Sequence, residues 1–170
     1  QLSPAHAAAC QAFMMEFITA GESEYGWLNE YLESPTFSAY LDYLELCAMG
    51  EYKPEIYVPQ TTFFLSDPHG RLLGISRLRH RLNPSLEIEG GHIGYAVRPS
   101  ARRQGCATRL LSLVLDQARR MGQFTLLLFL PLNAEVLVVH ITHGANHAGR
   151  SAAGVPLHDL APHRHPAIAA

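Results

Sequence analysis

Six consecutive residues, Arg102-Arg103-Gln104-Gly105-Cys106-Ala107, stand where the sequence changes from one periodicity to another. Before them, Ile93, Tyr95 and Val97 alternate as a strand does, and Pro99 ends the ladder. After them, Ala107, Leu110, Leu111, Val114, Leu115 and Ala118 recur at spacings of three and four, with Arg109, Asp116, Gln117, Arg119 and Arg120 on the other side. That is an amphipathic helix, and Gly122 closes it at a C′ position. A glycine turn between a strand and a helix is an anion-binding device. The first amides of a helix have no internal partner, and the helix dipole adds partial positive charge beside them. No Asp or Asn falls between Val97 and the first helical turn to cap them. The amides are left to a ligand. Arg98, Arg102, Arg103 and Arg109, within twelve residues, add side-chain charge.

The kind of anion is narrowed by exclusion. A phosphate loop of the nucleotide hydrolases carries GxxxxGK before Ser or Thr, whereas Lys53 is the only lysine here. A dinucleotide site carries GxGxxG directly after its strand, and that spacing is absent. The pattern present is Arg102-x-x-Gly105-x-Ala107. It resembles the pyrophosphate motif of the GNAT family of N-acetyltransferases, Q/R-x-x-G-x-G/A, set between a strand and a long helix. The stretches Gly90–Val97 and Val58–Leu65 also resemble a bacterial branch of that family. The resemblance is closest over residues 55–123 and loose over residues 1–54.

The resemblance implies acetyl-CoA as cofactor and a primary amine of a small molecule or peptide as acceptor. It assigns backbone groups of Ala96 and Val97 to the pantetheine arm and the thioester carbonyl. It assigns the amides of Arg103, Gln104, Gly105, Cys106 and Ala107 to the pyrophosphate, with the side chains of Arg102 and Arg103, and gives Thr108 a phosphate oxygen. Acyl transfer to an amine also needs a base for the amine and a donor for the leaving thiolate. Glu89 and His92 lie nearest the central strand and are the candidate bases, with Glu87 third. Cys106 fills the variable position of the motif, and direct transfer needs no covalent enzyme intermediate. The family's usual acid is a tyrosine from the C-terminal part of the fold, and this chain has no tyrosine after Tyr95. A second reading follows from that gap: an acyl-CoA-binding domain without a complete acceptor site, which turns over very slowly.

Composition frames these readings. At 170 residues the chain has the size of one domain with a real core. A net charge of −2 implies no nucleic acid partner, and the local arginines suit a small polyphosphorylated ligand better than a duplex. No run of ~20 apolar residues is available to cross a membrane. The Ala7–Ala9 region lacks the basic flank of a signal peptide, and Glu16 interrupts it. Cys10, Cys47 and Cys106 are odd in number without zinc or redox spacing, which fits a reduced cytoplasmic protein. A homodimer is left open as the assembly. His140, His143 and His147 fall at i, i+3 and i+7, but Gly144 sits among them and no cysteine or carboxylate is close by. They read as solvated histidines, not as a metal site.

The elements that must position the turn are legible in outline. Ser3-Pro4 opens a helix running to about Ala20, and Ser34-Pro35 opens a second that Gly50 ends. Gly21–Glu33 is mixed, and Lys53–Gln60 is an extended connector. Thr61–Ser66 and Arg71–Leu78 form a hairpin across Asp67-Pro68-His69-Gly70. Arg79–Glu89 reads as a loop, with a short strand near its end, and Thr125–Leu130 as a buried strand. The fold class is α/β, a GNAT-like mixed sheet with flanking helices and an incomplete or irregular C-terminal part. Residues 1–143 make the domain and residues 144–170 an irregular tail. The apolar run Val136–Ile141 prefers a strand, but no aromatic residue follows Phe129, and six of the ten histidines fall in the last thirty-one residues. A frame shift near Gly122 is one explanation of that composition; a divergent native tail is the other. Truncation after Thr142 is expected to move the thermal midpoint by no more than about a few degrees. A large loss of stability, or protected amides throughout the tail in hydrogen exchange, would establish a genuine C-terminal subdomain instead.

Overall fold

The computed structural model describes residues 2–88, 90–123, 125–130 and 135–140. The hairpin forms as its sequence dictates: β1 (Gln60–Ser66) runs antiparallel to β2 (Leu72–Arg79). The Asp67 carboxylate closes the turn between them by accepting from the amides of His69 and Arg71, both at 2.9 Å. β3 (Ile93–Val97) continues the sheet antiparallel to β2, with Ile75 opposite Ala96 and Arg77 opposite Gly94. β4 (Thr125–Leu130) lies parallel to β3 and β5 (Glu135–His140) antiparallel to β4, so the five strands stand in sequence order. A parallel pair needs a crossover, and the helix α5 (Cys106–Arg120) supplies it.

Helices cover both faces of the sheet. On one face α1 (Ala7–Thr19), α2 (Gly26–Glu33) and α3 (Phe37–Met49) pack Phe13, Met14, Phe17, Trp27, Leu28 and Tyr40 against Leu72, Ile75 and Ala96. On the other, Leu110, Val114 and Ala118 of α5 meet Leu65, Leu78, Ile93, Leu126 and Leu128. The period-two alternation of β2 thus feeds two separate cores, Ile75 into one and Leu78 into the other. Gly74 sets the spacing of α5: a Cβ there would lie 3.1 Å from both the Ala96 carbonyl and Leu110 Cδ2.

Several boundaries differ from the sequence expectation for local reasons. The mixed segment contains α2, because Trp27 and Leu28 bury together against α1 and the sheet. The following helix begins at Phe37, not at Ser34-Pro35. Thr36 caps it by accepting from the Ala39 amide at 3.1 Å, whereas the Ser34 hydroxyl donates back to the Glu30 carbonyl at 2.7 Å and ends α2. The supposed loop with a late strand holds a short helix, α4 (Pro84–Ile88), because Asn83 accepts from the Leu86 amide at 2.9 Å ahead of Pro84. The connector after Lys53 is bent, with the amides of Ile56 and Tyr57 bonded to the Lys53 carbonyl. The expected C-terminal tail, with His143 and His147, lies outside the described residues. Among the described residues, no helix is long and apolar enough to cross a membrane, and no group of three His, Cys, Asp or Glu could hold a metal ion.

An ion pair joins α1 to the end of β3. Arg98 is buried; its Nε donates to Glu16 Oε2 at 2.8 Å, its Nη2 to the same oxygen, and its Nη1 to the Leu72 carbonyl at 2.9 Å. The second oxygen, Oε1, accepts from the Ser100 amide at 2.6 Å. Burial alone would raise the Glu16 carboxyl, but the hydrogen bonds from Arg98 and Ser100, with the charge of Arg98, hold it at about 2. A depressed carboxylate contributes stability above its unfolded pKa, and that contribution is lost as the pH falls through the folded value. Glu16→Gln should therefore destabilise the fold by about 3 kcal/mol at neutral pH, by leaving Arg98 without its counter-charge. It should also flatten the loss of stability between pH 4.5 and about 2, read by denaturant unfolding across pH.

Candidate functional site

The chain leaves β3 through a single 3₁₀ turn, Pro99–Ala101, and then makes four turn residues before α5. Two of the four take left-handed backbone, Arg103 at φ 61° and Gly105 at φ 76°. Left-handed residues beside a helix start turn successive N–H groups toward one concavity, which is how backbone builds an anion nest. Gly105 is the N-cap of α5 and brings no side-chain cap. The amides from Arg103 to Thr108 find no acceptor among the described residues, the first in-helix donor being Arg109 N to the Gly105 carbonyl at 3.0 Å. The Gln104 side chain folds back to the Ser100 carbonyl at 3.0 Å.

The four clustered arginines divide into two kinds. Arg98 is consumed by Glu16. Arg102 is consumed as well: Nε donates to the Val97 carbonyl at 3.0 Å, while Nη1 and Nη2 donate to the two oxygens of Glu22 at 2.7 and 2.6 Å. Hydrogen bonds from Arg102 lower the Glu22 pKa, so the pair is ionised at neutral pH. The guanidinium also sits 5.9 Å from the Phe17 ring centroid. Arg102 thus staples the turn to the helical layer. Arg103 and Arg109 are exposed, and neither forms an ion pair among the described residues.

The edge of β3 next to the turn is only partly committed to the sheet. Ile93↔Leu128 is the one ladder pair between β3 and β4, so from Gly94 to Val97 β3 pairs with β2 alone. Ala96 and Val97, both buried, lie on this stretch. On the helical face beside it is a cavity of about 250 Å³, lined by Tyr25 and Trp27 of the α2 start and by Arg77, Arg79 and Gly94 of the strands. His92 is half-buried just ahead of β3, and its carbonyl accepts from the Arg79 amide at 2.8 Å. Burial, and then the charge of Arg79, lowers the His92 pKa, so the ring is neutral at pH 7 and able to accept a proton. Glu89 lies outside the described residues. Glu87 is exposed on α4.

The sequence profile of the Acetyltransferase (GNAT) family matches residues 22–137. The chain belongs to that family. No curated protein and no solved structure matches it. The match starts at Glu22, the partner of Arg102, and takes in α2, the hairpin, β3, the turn, α5 and β4. This GNAT acetyltransferase has its motif residues where the strand–turn–helix reading puts them, with Gly105 at the N-cap and Ala107 in the first turn of α5. Cys106 packs against the α5-side core. Thr108 is exposed in the first turn.

Two features of the acetyltransferase escaped the sequence: the staple role of Arg102 and the cavity against α2. The signals for the second were the single tryptophan, Trp27, and a glycine at position 94 between apolar strand residues. The turn conformation itself can be tested by stability. At Gly105 a Cβ meets nothing within 4 Å, so Gly105→Ala meets only the cost of a left-handed backbone. The expected loss is about 1 kcal/mol in thermal unfolding. An unchanged midpoint would mean that the turn adopts a different backbone.

Proposed function

We propose that this GNAT domain is an acetyl-CoA-dependent N-acetyltransferase that acts on a primary amine of a small molecule or peptide. The observation that carries the reading is the row of unpartnered, uncapped amides from Arg103 to Thr108 at the start of α5, flanked by the unpaired Arg103 and Arg109. Such a row suits the pyrophosphate of coenzyme A, since main-chain N–H groups and a helix N-terminus favour negative charge without adding side-chain bulk. Bound acetyl-CoA would supply the acetyl group as a thioester. In this reading Arg103 contributes charge to the phosphates, and Arg102 contributes through the shape of the turn. Of the two strand residues assigned to the pantetheine arm, Val97 offers backbone on the edge of β3 that β4 leaves unpaired, whereas the groups of Ala96 face Ile75 of β2. The Val97 carbonyl is already an acceptor for Arg102, which leaves the Val97 amide as the contact to the pantetheine arm.

On the acceptor side, His92 is the described candidate for the base. Its ring is held neutral, and it stands opposite Arg79 at the entry to β3, about 13 Å along the strand from Ala96, so a proton from an amine beside Ala96 reaches it through a chain of waters and not by direct contact. Proton removal from an ammonium acceptor at neutral pH requires such a group, because only the free amine is a nucleophile. Arg103→Ala combined with Gly105→Val should weaken acetyl-CoA binding by about 3 kcal/mol, or more than about 100-fold, by removing a charged donor and blocking close approach to the turn. Isothermal calorimetry measures this directly, with circular dichroism as the check on folding. Full affinity in a folded double variant would place the cofactor elsewhere.

A further inference from the structure

The cavity between α2 and the sheet carries a charge that the described residues do not balance. Arg77 and Arg79 both line it. Arg77 is paired: its Nη1 donates to Glu30 Oε1 at 3.0 Å and its Nη2 to Oε2. Arg79 is held differently. Its Nη1 donates to the carbonyls of Gly90 and Gly91, at 3.0 and 2.7 Å, and no described carboxylate forms an ion pair with it. Among the described residues, two guanidiniums face one carboxylate in this wall. Burial, followed by the charge of Arg77, lowers the Arg79 pKa, as expected for a cation without a counter-ion. An anion brought by a ligand would supply that counter-ion.

The direction of the cavity sets the shape of such a ligand. Ile75 stands opposite Ala96 and Arg77 opposite Gly94, while the Arg79 amide bonds the His92 carbonyl. The lining from Ile75 to Arg79 therefore runs along the two strands from the level of Ala96 toward the base of β3. Four residue steps at ~3.3 Å each make this about 13 Å. Trp27, stacked on Tyr25 with ring centroids 5.1 Å apart, walls the path with apolar surface. Gly94 keeps that path open, since a Cβ there would meet no atom within 4 Å.

We infer that the acceptor is an elongated primary amine with a carboxylate at the end away from the amino group and an apolar stretch between, and that Arg79 selects it. The inference rests on the proposed amine acetylation. The amino group lies toward Ala96 and the carboxylate at Arg79, so an ordinary α-amino acid, with both groups on one carbon, is too short. A short peptide and an ω-aminocarboxylate share the required chemistry. The ammonium loses one proton before attack. The nitrogen then bonds the acetyl carbon as the carbon–sulfur bond breaks, and the second amine proton ends on the departing thiolate, leaving amide, free thiol and one released proton.

Trp27 is the only tryptophan and lines the cavity, so its fluorescence reads occupancy without turnover. The full chain would be titrated with the tetrapeptide glycyl-leucyl-leucyl-glycine, which extended spans about 13 Å, and with an ω-aminocarboxylate of equal length, each beside the twin whose carboxylate is a neutral amide. At least one carboxylate should bind about 10-fold tighter than its twin or better, the weight of a charged hydrogen-bonded contact. Whichever arm does so identifies the source as peptide or small molecule. Arg79→Gln should abolish the difference, Arg79→Lys should keep part of it, and Gly94→Val should block both members of the pair by filling the path. Equal binding of carboxylate and amide, no binding by either carboxylate, or a preference that survives Arg79→Gln overturns the inference. Where Arg79→Gln fails to fold, the wild-type pairs and Gly94→Val decide. Calorimetry with acetyl-CoA is run in parallel: loss of that binding in the wild type counts against the amine acetylation reading, whereas intact binding without carboxylate preference counts against the acceptor assignment alone.

Discussion

The Glu16–Arg98 pair is the constraint on which the candidate site depends. Arg98 is the first residue after β3, and its side chain is almost wholly removed from water. A guanidinium in that position must be matched by a carboxylate or leave the core. Glu16 meets it from α1 and also takes the Ser100 amide, so one carboxylate fixes both the exit of β3 and the start of the turn. Glu22 then repeats the device on Arg102. With both acids committed to guanidiniums, no side chain among the described residues caps the amides that follow. The amides stay open because the nearest described acids are spent on positioning the turn.

What the sequence made legible follows from the range of the interactions involved. The strand, the glycine turn, the length of α5 and the extent of β4 depend on local periodicity and on a left-handed position that Gly105 fills, and all are visible within a window of a few residues. The roles of Arg98 and Arg102 are not local. Their partners lie 82 and 80 residues away, and four arginines in a row of twelve look alike until those partners are known. The same reason hid the cavity, which is assembled from α2, β2 and β3. The earlier helices show the intermediate case: their apolar faces were readable, but the Thr36 and Asn83 side chains decided where α3 and α4 began.

The two faces of the site place their charge in contrasting settings. At the turn, Arg103 and Arg109 stand in solvent, so their pull on an anion is steering and is weakened by salt. In the proposed site the backbone amides beside them carry the directional part of recognition, and these are indifferent to the identity of neighbouring side chains. In the cavity, Arg79 is half-buried beside the Arg77–Glu30 pair, where charge is poorly screened and a mismatch is costly. An exposed, backbone-built site suits a ligand common to a whole family, since it depends on chain conformation and tolerates substitution around it. A half-buried, side-chain-built site suits discrimination, since one uncompensated charge in low dielectric separates ligands that differ by a single ionised group. The same β3 strand serves both, through its unpaired edge in one direction and through Gly94 in the other. A change in the β2 residues that line the cavity can therefore alter what it takes while the turn, held by Glu16 and Glu22 from the opposite end of β3, keeps its shape.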